Sequence, residues 1–188
     1  MSPPGRPKGE YRSAQHEGTP VSPPGRPKGE CRSAQHEGTS LTPQTLDHAG
    51  IAARVPHSGS MCLLHSVRAW SATHVECSAL SHRDPANPLR VQGVLMAASG
   101  IEYAAQAMAL HGSFNAAPGS APTPGFLASV RGVRLLVPRL DTVAGELRVQ
   151  ATKLAGDHQQ ALYAFTLHDE RGALLVDGRA TVILNALP

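Results

Sequence analysis

SHRDPANPLRVQGVLMAASGIEYAAQAMALHG, residues 81–112, is the stretch on which the fold of this chain turns. Its opening, 81–92, is a loop rich in Pro, Asn and Asp. The rest, 93–111, is the one convincing helix in the sequence. Ile101, Ala105, Met108 and Ala109 recur at helical spacing, and further alanines, Ala104 and Ala107, lie between them. A helix with so much alanine predicts close packing on most of its sides. Gly112 suits the residue that ends it. On both sides the pattern changes to strand. Two strand signals precede the helix, at 61–70 and 73–80. After a small-residue loop at 113–124, four more follow, at 126–137, 146–154, 160–167 and 173–184. Turn pieces such as Ala155-Gly156-Asp157 and Glu170-Arg171-Gly172 separate them. A short helix is expected within TLDHAGIAARV, with Ser40-Leu41-Thr42-Pro43 as its N-cap pattern.

Two strands, one long helix and four strands in a meander form an α+β domain. The simplest packing wraps a curved antiparallel sheet around the apolar helix, the arrangement called the hot-dog fold, here over residues 41–188. One such domain encloses little volume, so a dimer is expected. Pairing across chains would also cover exposed sheet edges.

Residues 1–40 have another character. SPPGRPKGEYRSAQHEGT at 2–19 recurs at 22–39 with only Tyr11 replaced by Cys31. Seven of the sixteen prolines lie here, and Val21 is the one large aliphatic residue after Met1. Such a segment cannot bury enough apolar surface to offset its ordering entropy, so a disordered tandem repeat is predicted. The formal charge of +3 divides into +2 for residues 1–40 (six basic, four acidic) and +1 for the rest (eleven basic, ten acidic). A near-neutral domain predicts no nucleic-acid partner, although a local basic patch still suits an acidic carrier protein. Three cysteines, Cys31, Cys62 and Cys77, form no CxxC, which predicts reduced thiols in a cytoplasmic protein with neither a disulfide framework nor a structural metal. No secretory h-region opens the chain and no stretch approaches the length of a membrane span, so no membrane role is expected.

The candidate chemistry lies in the same opening stretch. Glu102 and Gln106, four apart, share a helix face. A carboxyl group among alanines and isoleucine is costly to bury unpaired, and burial would tune it for acid or base work near neutral pH. A partner such as Arg90 would instead make it structural. His82, in the loop ahead of the helix, is the natural companion base, and His57, in a Pro-His-Ser-Gly turn, is a second candidate. His111 near the helix end suits the negative pole of the dipole. Trp70 and Tyr163 fall in strand segments and read as packing residues. No GxSxG, GxxxxGK[ST] or HExxH motif occurs.

Two segments resemble the hot-dog 3-hydroxyacyl-ACP dehydratases. Val55-Pro56-His57 through Met61-Cys62-Leu63-Leu64 is similar to that family's Pro-His turn before a Leu-Leu strand, although His65 stands where an acidic residue is usual. Glu102-Tyr103-Ala104-Ala105-Gln106 resembles the helix motif that carries the catalytic carboxylate. The pairing of HRDPANPLR with GIEYAAQAMALHG is closer still to the dehydratase-like proteins of aryl polyene pigment clusters. The resemblance implies dehydration of 3-hydroxyacyl-ACP to trans-2-enoyl-ACP in fatty-acid or polyene biosynthesis. It implies Glu102 as acid and His82 as base, with Gln106, Asn87, Arg90 and His57 against the substrate. It also implies acyl carrier protein with its pantetheine-linked chain as partner, a homodimer or a heterodimer with another hot-dog protein, and no cofactor. His82 and Glu102 stand farther apart than the family's pair. Either the loop 83–92 absorbs the excess, or His82 is not the equivalent. A register on Gly93-Val94-Leu95 would place Ala98 at the carboxylate position. A non-catalytic partner subunit and a hot-dog acyl thioesterase are the alternatives.

Overall fold

A computed structural model of the chain describes residues 45–116 and 125–184. The tandem repeat, the N-cap pattern expected at residues 40–43 and most of the small-residue loop lie outside those residues.

The first helix, α1 (His48–Ala52), is capped by Asp47, whose carboxylate accepts the Gly50 N–H at 2.9 Å. Strands β1 (Ser66–Trp70) and β2 (His74–Ala79) form a hairpin. The long helix α2 (Gly100–Phe114) follows, then β3 (Gly125–Leu135), β4 (Leu147–Gly156), β5 (Gln160–His168) and β6 (Leu174–Leu184). All strand pairs are antiparallel, in the order β1-β2-β4-β5-β6-β3.

One expectation is corrected by that order. The last four strands are not a simple meander, because β3 pairs with β6 and leaves β4 to pair with β2. The register gives the reason. Val75, Cys77 and Ala79 of β2 lie opposite Ala151, Val149 and Leu147 of β4, and all six are fully buried under α2. The outer residues of β3, by contrast, include Phe126 and Leu127, which remain 50 % and 40 % exposed. β4, whose alternate residues Leu147, Val149 and Ala151 are all apolar and buried, takes the sheet centre, and β3 takes an edge.

The helix is shorter at its start than the sequence suggests, and longer at its end. Gln92 and Gly93 adopt positive φ (51° and 79°), and Val91 and Val94 exchange backbone hydrogen bonds of 3.0 Å, which makes a tight turn of the segment assigned to the helix. Gly112 lies inside the last turn, and the N–H of Asn115 caps the carbonyls of His111 and Gly112. At the other end, a Cβ on Gly100 would stand 3.0 Å from Leu167 Cδ2 and 3.2 Å from Val176 Cγ2. Glycine therefore lets the helix start lie directly on β5 and β6. Tyr103, Ala104, Ala107 and Leu110 carry that contact along a fully buried face.

Asp141, in the β3–β4 connection, fixes the approach to α2. Its Oδ1 accepts the Leu95 N–H at 3.1 Å and Arg139 Nε at 3.0 Å. Arg139 Nη2 and Arg90 Nη1 (3.6 Å) approach its Oδ2. The Arg139 hydrogen bonds hold this carboxyl well below the usual carboxylate range. A depressed folded pKa contributes stability that is present above the unfolded value, about 3.9, and is lost as pH falls below it. Asp141→Asn is therefore expected to melt below the parent at pH 7, with a gap that begins to narrow below about pH 4 and is still open at pH 3. Thermal denaturation across that range measures the gap, and a gap that stays constant with pH would contradict this role.

Candidate active site

The one-turn 3-10 segment Gly59–Met61, entered through Gly59 at φ 58°, brings the chain from His57 alongside the start of α2. Gln106 fastens it there. Its Nε2 donates to Met61 O at 2.8 Å, and its Oε1 accepts the Leu63 N–H at 2.9 Å. The same Nε2 donates to Glu102 Oε1 at 3.0 Å, one turn earlier on the helix. Gln106 is fully buried and its amide is fully engaged.

His57 Nε2 lies 3.1 Å from the same Glu102 oxygen. Both side chains keep about 30 % of their surface (29 % for His57, 30 % for Glu102), so the pair is reachable from outside. An imidazole and a carboxyl at this distance suit paired acid–base chemistry. His57 Nδ1 is buried and has no hydrogen-bond partner among the described residues.

The imidazole on Glu102 is therefore that of His57, not the expected His82. His82 is fully buried in a 3-10 turn (Ser81–Arg83), and its Nε2 donates to Val143 O at 3.2 Å. Burial pushes its pKa down, against the pull of that carbonyl, so the ring is neutral near pH 7. The loop takes this shape because Arg90 binds three of its carbonyls, Asp84 O, Gly93 O and His82 O, at 2.6–3.0 Å. Arg90 pairs with Asp141, not with Glu102. Asn87, expected against the substrate, donates through Nδ2 to Ser81 O and Tyr103 Oη, both at 2.9 Å. Ser81 Oγ donates to Leu63 O at 2.7 Å and also meets Tyr103 Oη at 2.9 Å. Asn87, Arg90 and His82 thus hold the loop, and of the expected residues only Glu102, Gln106 and His57 come together. Tyr103 and Ser81 were not legible as site-supporting residues, because a tyrosine in an apolar helix reads as core. His82→Ala is expected to lower stability by ~1–3 kcal/mol while activity per folded molecule persists. Denaturant melts beside a rate assay separate the two.

His111 is likewise no cation at the helix end. It is buried between Tyr163 Oη (2.9 Å from Nδ1) and Ser71 O (3.1 Å from Nε2), and burial lowers its pKa. Trp70 stacks on Phe114, as a packing residue should. The buried thiols of Cys62 and Cys77 are pushed up, Cys77 to about 12, which makes them poor nucleophiles. Among the described residues no group of three or more His, Cys, Asp or Glu is placed to hold a metal ion, and no helix is long and apolar enough to cross a membrane.

Residues 49–186 match the ApeP-like family, described as ApeP dehydratase. The chain belongs to this family. The dehydratase heterocomplex ApeI:P from Xenorhabdus doucetiae is similar to it, with 28 % identity and a TM-score of 0.65 over 72 % of this chain and 91 % of that one. A thioesterase from Haemophilus influenzae (16 % identity, TM-score 0.55, 77 % and 94 % covered) shares the hot-dog fold, as does a thioesterase variant from Pseudomonas aeruginosa (15 %, 0.55, 77 % and 98 %). No curated protein matches the chain. Family membership and the observed sheet around one long helix agree on an α+β domain of hot-dog fold in the ApeP dehydratase family.

Proposed function

We propose that this ApeP-like chain removes water from 3-hydroxyacyl chains carried on acyl carrier protein, giving trans-2-enoyl products in aryl polyene or fatty-acid biosynthesis. The observation that carries this is the 3.1 Å contact between His57 Nε2 and Glu102 Oε1 at a reachable position. In this mechanism the thioester enters beside the pair. His57 Nε2 takes the proton α to the carbonyl, and the Glu102 carboxyl delivers its proton to the departing β-hydroxyl. Water leaves and the double bond forms. The proton on His57 then returns to Glu102 across the same contact, so the site resets without a co-reactant. Gln106, donating to Oε1, holds the carboxyl group in place during both transfers.

The partner we propose is a second hot-dog protein, because the similar ApeI:P structure is a heterocomplex. The edge strand β3, with Phe126, Leu127 and Val130 exposed, offers both backbone pairing and apolar contact. The cytoplasm, where acyl carrier proteins work, is the proposed location. That same heterocomplex favours a second reading, in which this subunit supports a catalytic partner.

The test is to incubate the purified chain, alone and with a co-expressed hot-dog paralogue, with 3-hydroxyacyl-ACP. Mass spectrometry is expected to show loss of one water from the acyl chain. Release of free acid would replace dehydration with thioester hydrolysis. Activity that appears only with the paralogue, and that survives Glu102→Gln in this chain, would leave the supporting role alone standing.

A further inference from the structure

The face of the sheet turned away from α2 carries a second feature. Residues 161, 163, 165 and 167 of β5 are buried beneath the helix, so the alternate positions point outward. The register then puts Glu76, Gln150, Thr166 and Asp177 in one outward row across β2, β4, β5 and β6. That row is internally satisfied. Gln150 Nε2 donates to Glu76 Oε2 at 2.8 Å, and Thr166 Oγ1 donates to Gln150 Oε1 at 3.2 Å. Arg148 meets Glu76 at 3.4 Å, and Arg134 pairs with Asp177.

Two residues further along β6 the pattern breaks. Arg179 lies directly opposite Arg131 of β3, on the same outward face. Like charges placed opposite one another destabilise a strand pair. The sheet supplies a carboxylate to Arg148 and to Arg134, yet among the described residues neither Arg131 nor Arg179 has one within ion-pair distance. Asp157 stands nearby, but its carboxylate already accepts the Gln159 and Gln160 N–H groups of its own turn, at 2.7 and 2.9 Å.

The two arginines also border a hollow of about 700 Å³. Register shifts frame it on both sides, between Leu127 and Ser129 and between Arg131 and Arg134 in β3, and between Lys153 and Ala155 in β4. Bulges of this kind bend a strand and re-aim its side chains. Ser129, Thr181 and Gln160 add hydroxyl and amide groups to the lining, and Leu162 adds an apolar surface.

We propose that this hollow is a binding site, separate from the His57–Glu102 pair, for a small ligand bearing a phosphate group, held between the guanidiniums of Arg131 and Arg179. Two adjacent guanidiniums match the geometry of phosphate oxygens, and the anion supplies the counter-charge that the sheet withholds. The site does not depend on the dehydratase reading, and its test uses no substrate.

The full-length chain is labelled with ¹⁵N and titrated separately with inorganic phosphate, pyrophosphate and 4′-phosphopantetheine, with sodium chloride at matched ionic strength as the control. Saturable shifts are expected at the amides of Ser129, Arg131, Gln160, Arg179 and Thr181. Tighter binding of phosphopantetheine than of phosphate would assign the ligand to an acyl-carrier arm, and equal binding would assign it to free phosphate. Arg131→Gln and Arg179→Gln should each weaken binding by roughly tenfold or more. Melting gives a second measure. Without phosphate the Gln variants should melt at or above the parent, because a like-charge contact is gone. With phosphate the parent should gain and the variants should not. Shifts that fail to saturate, that chloride reproduces, or that persist unchanged in Arg179→Gln would overturn the proposal.

Discussion

Glu102→Gln is expected to slow dehydration by roughly 10²–10⁴-fold, and His57→Ala by a similar factor. Glutamine preserves the shape of the side chain and still accepts the Gln106 amide, so the helix and the segment Met61–Leu63 should stay in place. What it removes is the titrating proton. If the two groups pass one proton between them, the double variant should be barely slower than either single one, because residues that act as a unit are not additive. Rates of enoyl formation, measured beside circular dichroism spectra of each variant, check this. Independent, multiplying losses would separate the two residues and return His57 to a binding role.

Phe165→Ala should cost ~3–5 kcal/mol of stability, the range for emptying a buried aromatic site. The ring is 2 % exposed and lies in one apolar cluster with Ala104, Ala107 and Leu110 of α2. Its register partner is Gly178, where an added Cβ would come within 2.9 Å of the ring edge. The glycine leaves the space and the phenyl ring fills it, so alanine at 165 exposes a cavity that neither strand can close. For a domain of this size the melting temperature should fall by roughly 10 °C. Phe165→Leu should recover a good part of the loss. A change below about 1 kcal/mol for alanine would mean that the neighbouring side chains collapse into the gap.

Elements with strong periodicity are legible in the amino-acid sequence alone. The alanine-rich helix, the two strands before it and the four after it occur in the order in which the sequence places them, although the helix begins at Gly100 and the first strand at Ser66, several residues later than the pattern suggests. Legibility fails where neighbours in space are distant in the chain. β3 and β4 are consecutive and each reads as a strand, but only the burial of Leu147, Val149 and Ala151 against β2 explains why β4 leaves β3 for the sheet centre. The candidate site fails in the same way. His82 precedes the helix by a loop, so it reads as the partner of Glu102. His57, much farther back, arrives because Gln106 pins Met61 and Leu63. The signal lies in the Pro-His-Ser-Gly turn and in the Glu-to-Gln spacing, but only geometry joins them. Gln92 at positive φ, in the turn that leads into α2, is hidden for another reason, since nothing local in a glutamine announces that conformation.

The placement of β3 has a consequence for how the protein is made. Among the described residues β3 pairs with β6 alone, and every register contact between the two spans more than forty residues. On the ribosome, β1, β2, β4 and β5 can assemble with the helix while β3 waits without a neighbour, its Phe126 and Leu127 uncovered. Long-range closure of this kind is slow, and an unpaired apolar strand is prone to aggregation during the delay. The sheet is therefore completed only when β6 emerges, and nascent chains stopped before β6 should be the species that chaperones capture.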